Sequence, residues 1–414
     1  LEGVLADILV EMNPGVYGPF AYKNNSGTHI IYVLLTRALY GCLKSSLRWF
    51  MQLSKVLEDE GFIGNAYDCC VVNKNINGTQ CTICWHVDDI KSSHIDKLVN
   101  DAFLKWLDKT YGEDGIGEVK AIRGKVHDYL AMILDYSTPG KLKVDMTKCV
   151  NKMVTDLLDA LEKYPDDVAE KKKMVQCPWT DKLFKVDKTA TKLDEYRKKE
   201  FHTFVMKAMF VCKRARQDIQ PAVTFLSSRT NEPNENDWNK FIRMMRFLWY
   251  TQDDVMILEA VDEQTIKWWV DASFAVHEDA KSHTGATMSL GKGSMISGST
   301  KQKINTRSST EAEIVGVWAK LFVEKQGFKV NENIACQDNT SSMKLEMNGK
   351  ASSGKRTRHF NIKFFYVADL HERKELVIKY CPTDEMIADY FTKPLVGRKF
   401  IMFRNKIMNN SENK

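Results

Sequence analysis

The spacing of apolar residues in the first part of the chain predicts a helix followed by a hairpin. Residues 39–62 carry apolar side chains at intervals of three and four, which is typical of a helix with one buried face. Residues 69–90 fit two strands around an Asn-Gly turn, a strong short-range signal for a hairpin. The second strand ends on two adjacent carboxylates, Asp88 and Asp89.

The pattern changes after residue 264. Before it, residues 145–215 are highly charged with helical spacing, and a polar loop at 229–238 leads into another helix. After it, the spacing predicts strands at 266–272, 283–290 and 294–302, a helix at 309–326, a strand at 333–337, helices at 340–347 and 360–371, a strand at 375–380 and a last helix at 384–392. This order indicates a mixed sheet with helices on its faces, and therefore an α/β fold.

Length and composition are those of a globular protein with more than one domain. The chain has 414 residues, 43% hydrophobic and 28% charged, and single cores stop growing well below this size. The net charge of +6 is compatible with a polyanionic partner but does not require one. No apolar run approaches the roughly 18 residues of a membrane helix, so no membrane contact is expected. The ten cysteines show no framework spacing, which favours reduced thiols and an intracellular protein.

The pair Asp88 and Asp89 interrupts an otherwise apolar run, "ICWHVDDI". Two like charges repel each other strongly in a buried position, so the pair either lies on a solvated turn or binds a cation. Carboxylate oxygens are preferred ligands of Mg²⁺, and a tight turn between strands can present two of them together. Both interpretations remain open from these residues alone.

Four further acids lie near the ends of four predicted elements in the C-terminal part of the chain. Asp271 and Asp338 end strands, whereas Glu313 and Asp389 lie early in helices. Each has an ordinary interpretation as a turn, a cap or a solvated side chain. Their order in one mixed sheet predicts that they converge at one edge and hold two Mg²⁺ about 4 Å apart. Glu311 has the spacing of a capping box and is assigned to the helix N-terminus.

Two basic segments accompany these acids, and their side chains are candidates for contacts with nucleic-acid phosphates. The candidates are Lys301, Lys303, Arg307, Lys355, Arg356, Arg358 and His359. A solvated basic loop is the alternative interpretation for the second segment.

Several stretches taken together resemble one family. "LYGCLKSSLRWF" followed by "WHVDDI" resembles the reverse transcriptases of copia-type retrotransposons, in which a similar helix precedes a Tyr-Val-Asp-Asp hairpin. "DYLAMILDY" and "NEPNENDWNKFIRMMRFLWY" also look like that family. The order of elements and acids after residue 264 resembles the ribonuclease H domain that follows reverse transcriptase in copia-type polyproteins.

The resemblance implies an α+β palm-type polymerase fragment followed by a ribonuclease H-like mixed-sheet α/β domain. The implied domains are a partial reverse transcriptase palm at 1–145, a helical thumb or connection at 146–264, a ribonuclease H-like domain at 265–397 and a basic tail at 398–414. The polymerase site of the family binds two Mg²⁺ through the hairpin acids, here Asp88 and Asp89, and an earlier Asp that would lie upstream of this chain. We therefore expect that the chain as given does not extend a primer.

The metal ligands of the ribonuclease H family map onto Asp271, Glu313, Asp338 and Asp389. In that family two Mg²⁺ bind the scissile RNA phosphate and activate water, which leaves a 3′ hydroxyl and a 5′ phosphate. The expected partners are an RNA–DNA hybrid, an RNA template and a DNA primer, with protease and integrase upstream in the same polyprotein. The expected location is a cytoplasmic virus-like particle or the nucleus.

Two alternatives come from other classes of protein. A degenerate copy of the element would fold and bind nucleic acid without any chemistry. An integrase-like nuclease shares the sheet topology, but it is disfavoured because the reverse transcriptase resemblance lies directly upstream.

Overall fold

The computed structural model describes residues 1–32, 42–112, 119–161, 174–261, 264–273, 276–277, 281–302, 310–340, 343–344, 347 and 368–410. These residues form both helices and open sheets, which confirms the predicted α/β fold class. The chain forms two compact units, one made of Leu1–Gly64 and Cys70–Ser93 and the other of Asn65–Cys69 and His94–Lys414. The domain boundaries at residues 145 and 264 stay predictions.

The first 93 residues contain the predicted helix and hairpin. Their elements are α1 (Val4–Met12), α2 (Pro14–Tyr17), β1 (Ala21–Lys23), β2 (His29–Ile31), α3 (Leu43–Asp59), β3 (Ile63–Asn65), β4 (Asp68–Ile76), β5 (Thr79–His86) and β6 (Asp89–Ser93). The predicted helix is α3, and the predicted hairpin is the antiparallel pair β4 and β5. Asn77 and Gly78 both have positive φ, 54° and 80°, as the favoured two-residue hairpin turn requires.

The rest of the chain contains eight further helices and ten further strands among the described residues. The helices are α4 (Lys97–Tyr111), α5 (Thr147–Leu161), α6 (Glu195–Cys212), α7 (Gln220–Ser227), α8 (Glu235–Tyr250), α9 (Thr310–Lys325), α10 (Asp389–Thr392) and α11 (Gly397–Met408). The strands are β7 (Val126–Tyr129), β8 (Met132–Asp135), β9 (Lys141–Asp145), β10 (Met256–Ala260), β11 (Thr265–Ser273), β12 (His283–Ser289), β13 (Gly291–Lys292), β14 (Ile296–Lys301), β15 (Glu332–Gln337) and β16 (Val377–Tyr380).

These strands form two five-stranded sheets, in the orders β13-β10-β9-β8-β7 and β14-β12-β11-β15-β16. In the second sheet β11 pairs antiparallel with β12 and parallel with β15, and β15 pairs parallel with β16. The predicted mixed sheet is therefore confirmed. Its central strand, β11, alternates between the two faces, with Ile266, Trp268 and Val270 in a buried cluster that also contains Ala319 of α9.

The helix α8 begins where the sequence predicts a loop entering a helix. Asn234 accepts a hydrogen bond from the backbone N–H of Asp237 at 3.1 Å, and the Asp237 carboxylate accepts one from the Asn234 N–H at 3.2 Å. This reciprocal pair is a capping box, which satisfies two N–H groups that a helix start would otherwise leave without partners.

The prediction that residues 398–414 form a basic appendage is wrong for most of that segment. Residues Gly397–Met408 form α11, and Phe400, Phe403 and Ile407 on it are fully buried. They belong to the same apolar cluster as Phe241 of α8. Apolar residues three and four apart give α11 one buried face, and the basic residues between them obscured that spacing.

The predicted last helix at 384–392 is also shorter than expected. Only Asp389–Thr392 are helical. Before them, the backbone N–H of Glu385 donates to Pro382 and that of Met386 donates to Thr383, which are turn-type bonds spanning three residues. Asp389 therefore opens a single helical turn at the C-terminal side of β16.

Candidate metal-binding site

Two of the four predicted acids lie at the same end of neighbouring parallel strands. The last pair in register between β11 and β15 is Trp269 with Cys336, and two residues further along each strand come Asp271 and Asp338. Parallel neighbours lie about 4.8 Å apart in a sheet. The parallel register of β11 and β15 therefore brings these two acids to one edge of the sheet.

Asp389 reaches the same edge because the chain around it packs directly on β12. Gly285 pairs with Asp271 across the strands and lies beneath α10. A Cβ atom on Gly285 would lie 2.7 Å from Cβ of Phe391, 2.7 Å from Cγ2 of Thr392 and 2.9 Å from the carbonyl oxygen of Ala388. The absent side chain is what allows α10 to lie against the strand.

We expect the substitution Gly285→Ala to displace α10. The new methyl group meets backbone and Cβ atoms that cannot rotate away, so the free energy of unfolding should fall by about 1–3 kcal/mol. Gly298→Ala is the matched control, because Gly298 lies in the adjoining strand and a methyl group added there would have no atom within 4 Å. Urea unfolding measures the stability of both variants. Equal free energies of unfolding would contradict the packing argument.

A lysine holds the two innermost carboxylates together. The ammonium of Lys393 lies 2.5 Å from Oδ1 of Asp389 and 3.4 Å from Oδ2 of Asp271. Lys399 lies 3.7 Å from Oδ2 of Asp389. The hydroxyl of Thr392 donates to Oδ2 of Asp271 at 2.5 Å. The segment 389–393 thus places an acid, a hydroxyl and an ammonium group around Asp271.

Burial and neighbouring charges shift the pKa values of Asp389 and Lys393. Asp389 is 2% exposed, and burial raises the pKa of its carboxyl, with Asp271 adding to the rise and Lys393 opposing it. Burial acts to lower the pKa of Lys393, but Asp271 and Asp389 outweigh it, so that pKa is raised. Two carboxylates this close need positive charge between them.

These residues fit a hard divalent cation. The available ligand atoms are carboxylate oxygens and a hydroxyl, which Mg²⁺ prefers over nitrogen or sulfur. Asp389 is buried and sits beside Asp271, so an added positive charge would relieve the repulsion between them. Lys393 supplies positive charge to both acids, and Lys399 supplies it to Asp389.

Asp338 lies further out than the other two. Its carboxylate is partly exposed and accepts a hydrogen bond of 3.3 Å from the hydroxyl of Thr383. Within the described part of the chain, ligand atoms of Asp271, Asp338 and Asp389 do not all come within 4.8 Å of one another. Glu313 lies in α9 as predicted, but its side chain lies outside the described residues.

The hairpin acids Asp88 and Asp89 occupy an exposed turn. His86 pairs with Asp89 across β5 and β6, which leaves Val87 and Asp88 as a two-residue loop. Val87 has a φ of 56°, a left-handed conformation that a β-branched residue rarely adopts. Both acids are exposed, so no burial cost requires a cation at this turn.

The turn is fixed by the helix that precedes it in sequence. The indole N–H of Trp49 on α3 donates to the carbonyl of Val87, and Phe50 of α3 lies 6.2 Å from Trp85 between ring centroids. The helix and the hairpin that the resemblance pairs in sequence are therefore in contact in the structure.

The predicted basic residues are described only in part. Lys301 lies at the end of β14, where it pairs with His283 of β12. The remaining candidates, Lys303, Arg307, Lys355, Arg356, Arg358 and His359, lie outside the described residues. Lys393, Thr392 and Gly285 were not predicted as site residues. The spacing of four between Asp389 and Lys393 was the available signal for the lysine.

No helix within the described ranges is long and apolar enough to cross a membrane.

No protein-family model matches the sequence. The chain is 24% identical over 381 residues to the "Retrovirus-related Pol polyprotein from transposon TNT 1-94" of Nicotiana tabacum, with 88% of this chain and 27% of that protein covered. It is 25% identical over 403 residues to the "Transposon Ty1-NL2 Gag-Pol polyprotein" of Saccharomyces cerevisiae, with 90% of this chain and 22% of that protein covered. The chain thus spans about a quarter of the length of these relatives.

Among solved structures, the chain is similar to a foamy viral protease–reverse transcriptase in complex with dsDNA. The TM-score is 0.40 at 13% sequence identity, and the alignment covers 88% of this chain and 63% of the viral one. The homologues of the chain over about 90% of its length are Ty1/copia-type Gag-Pol polyproteins.

Proposed function

We propose that this chain, whose homologues are Ty1/copia-type Gag-Pol polyproteins, is a reverse transcriptase–ribonuclease H segment of such a polyprotein that cleaves RNA in RNA–DNA hybrids. The observation that carries the proposal is the pair Asp271 and Asp389, held together by Lys393 at one end of a mixed sheet. Asp338 lies at the end of the neighbouring strand, and Glu313 lies in the adjoining helix. Four acids in these elements are the ligand set that the resemblance assigns to two Mg²⁺.

Each side chain at this edge would have a separate role in cleavage. Asp271 and Asp389 hold the innermost positive charge, and Asp338 and Glu313 complete the oxygen ligands. Mg²⁺ bound there would activate water and stabilise the oxygen that leaves the RNA phosphate. Lys393 neutralises the acid pair when no other cation is present, which keeps the buried carboxylate of Asp389 beside the partly buried one of Asp271. Thr392 orients Asp271 through its hydroxyl.

The hairpin turn would belong to the polymerase part of the same segment. Asp88 and Asp89 are presented to solvent on a two-residue loop whose Val87 is conformationally strained, and strain of this kind concentrates at functional sites. The expected ligands of this part are an RNA template and a DNA primer. Its expected metal is Mg²⁺.

We expect binding to an RNA–DNA hybrid to weaken steeply with salt and to be insensitive to sequence. The candidate contacts in segments 299–310 and 355–363 are to phosphates, which carry no sequence information. Neutralising about five phosphates should give a log–log salt slope of about −4. Lys301→Gln should reduce that slope by about 1. Fluorescence anisotropy between low and moderate salt measures it, and an affinity independent of salt would exclude these contacts.

The proposed substrate class is tested by comparing labelled substrates of one sequence. A hybrid, a duplex DNA and a single-stranded RNA are incubated with the chain and Mg²⁺. The proposal predicts cleavage of the RNA strand of the hybrid, with 3′ hydroxyl and 5′ phosphate ends. Equal cleavage of the DNA duplex would instead favour a nuclease of the integrase type.

A further inference from the structure

A line of buried hydrogen bonds runs from β12 to the backbone of α10. Nε2 of His277 lies 3.0 Å from Nδ1 of His283, and Nε2 of His283 lies 2.8 Å from the hydroxyl oxygen of Ser299. Ser299 then donates to the carbonyl oxygen of Phe391 at 2.8 Å. The side chains of both histidines and of Ser299 are buried, so water does not compete for these bonds.

The last hydrogen bond fixes the direction of the others. Because the hydroxyl of Ser299 donates its hydrogen to Phe391, the hydroxyl oxygen accepts a hydrogen bond from the N–H at Nε2 of His283. A neutral His283 then has an unprotonated Nδ1, which accepts from Nε2 of His277. Burial, together with the neighbouring His277, lowers the pKa of His283 to about 3. Phe184 covers both rings, at centroid distances of 5.1 Å from His277 and 4.9 Å from His283.

The helix α10 depends on hydrogen bonds to other elements of the chain. It has only four residues, which is too short to be stable alone, and its N-cap residue Ala388 forms no side-chain cap. Two hydrogen bonds join it to other elements: Ser299 donates to the carbonyl oxygen of Phe391, and the hydroxyl of Tyr390 donates to the backbone carbonyl oxygen of Asp218 at 2.7 Å. The held carbonyl lies two residues after Asp389.

We propose that His277, His283 and Ser299 form a positioning relay that fixes α10, so that Asp389 stays beside Asp271 and the two share one cation. The hydrogen bond from Ser299 to the carbonyl oxygen of Phe391 is the link through which the three residues act on α10. The inference rests on the proposed function in one respect only, which is that the shared cation serves RNA cleavage. The relay and its effect on cation binding are inferred from the hydrogen bonds of His277, His283 and Ser299, and do not depend on the proposed function.

A pair of serine variants tests the relay. Ser299→Ala removes the donor to Phe391 and the acceptor for His283. Ser294→Ala is the matched control, because Ser294 is equally buried on the same hairpin and donates to the carbonyl of Ile296 at 3.3 Å. Each substitution removes one buried hydroxyl group, but only the hydroxyl of Ser299 is hydrogen-bonded to α10.

Two measurements on the full chain separate these variants without any enzymatic assay. Binding of Mn²⁺, followed by electron paramagnetic resonance, should weaken about fivefold in Ser299→Ala, the effect of losing one ordinary hydrogen bond. Amide hydrogen exchange in residues 389–395 should become faster by about the same factor. Ser294→Ala should match the wild type in both. If the two variants behave alike in both measurements, the relay does not position Asp389.

His283 provides a rescue experiment in case Ser299→Ala folds poorly. The amide N–H of glutamine can donate to Ser299 in place of Nε2, so His283→Gln should retain more Mn²⁺ affinity than His283→Leu. Equal loss in both would show that hydrogen bonding by the side chain at position 283 does not support α10, and would overturn the relay. If the wild type binds Mn²⁺ and responds as predicted but cleaves no hybrid, the proposed function fails while the relay stands.

Discussion

The variant Asp389→Asn should lose Mg²⁺-dependent cleavage of an RNA–DNA hybrid by at least about a hundredfold. Asparagine has nearly the same shape as aspartate but no charge, so it removes the buried half of the pair that would hold the cation. The side chain of Lys393 is 39% exposed, so it can turn toward solvent and the fold should tolerate the change. Hybrid affinity without metal should be unchanged, because the cationic contacts to the backbone remain.

Asp384→Asn is the control for this variant. Asp384 lies five residues earlier, is 94% exposed and contacts Lys399 at 3.6 Å, which also approaches Asp389. A general effect of removing one acid near Lys399 would therefore appear in both variants. We expect Asp384→Asn to cleave at nearly the wild-type rate. Full activity of Asp389→Asn under single-turnover conditions would remove Asp389 from the site.

The variant Arg404→Met should lower the free energy of unfolding by about 3–5 kcal/mol. Asp218 is fully buried and accepts hydrogen bonds from Arg216 at 3.0 Å and from Nε of Arg404 at 2.9 Å. Arg404 also bonds the carboxylate of Asp254. Removing Arg404 leaves the buried Asp218 charge with one partner in place of two. Urea unfolding measures the loss, with the exposed Arg398→Met expected within about 0.5 kcal/mol of wild type.

The same cluster predicts the pH dependence of stability. Burial acts to raise the pKa of Asp218, but Arg216 and Arg404 outweigh it, so the pKa is lowered in the folded chain. The cluster's contribution is therefore fully present above the ordinary aspartate value of about 3.9 and is lost as pH falls through the lower folded value. Arg404→Met should reduce this acid-dependent loss. An unfolding free energy with the same pH profile in both chains would contradict the assignment.

The sequence predicted those features that depend on one strand or one helix at a time. The strand predicted at 266–272 is the central strand of the mixed sheet, and Asp271 and Asp338 lie at the same edge because β11 and β15 pair in parallel. The Asn-Gly turn gave the first hairpin for a local reason, since both residues adopt positive φ.

Features made by distant segments were missed. A glycine is needed at position 285 because Phe391 and Thr392, more than a hundred residues further along the chain, pack against it. No local sequence pattern predicts that contact. The helix α11 was hidden because Arg398, Lys399, Arg404 and Lys406 suggested a solvated tail, although Arg404 is buried against Asp218. Burial of a charge depends on its partner, which sequence spacing alone does not supply.

The central claim is that the acids of the mixed sheet bind a cation for RNA cleavage. The most direct test is single-turnover cleavage of an end-labelled RNA–DNA hybrid by the wild-type chain, with Mg²⁺ and with a chelator, at a protein concentration that saturates the hybrid. We predict Mg²⁺-dependent cleavage of the RNA strand that leaves 3′ hydroxyl ends and disappears with the chelator. Saturated hybrid binding by a folded chain with no Mg²⁺-dependent cleavage would contradict the claim and identify a copy that only binds nucleic acid.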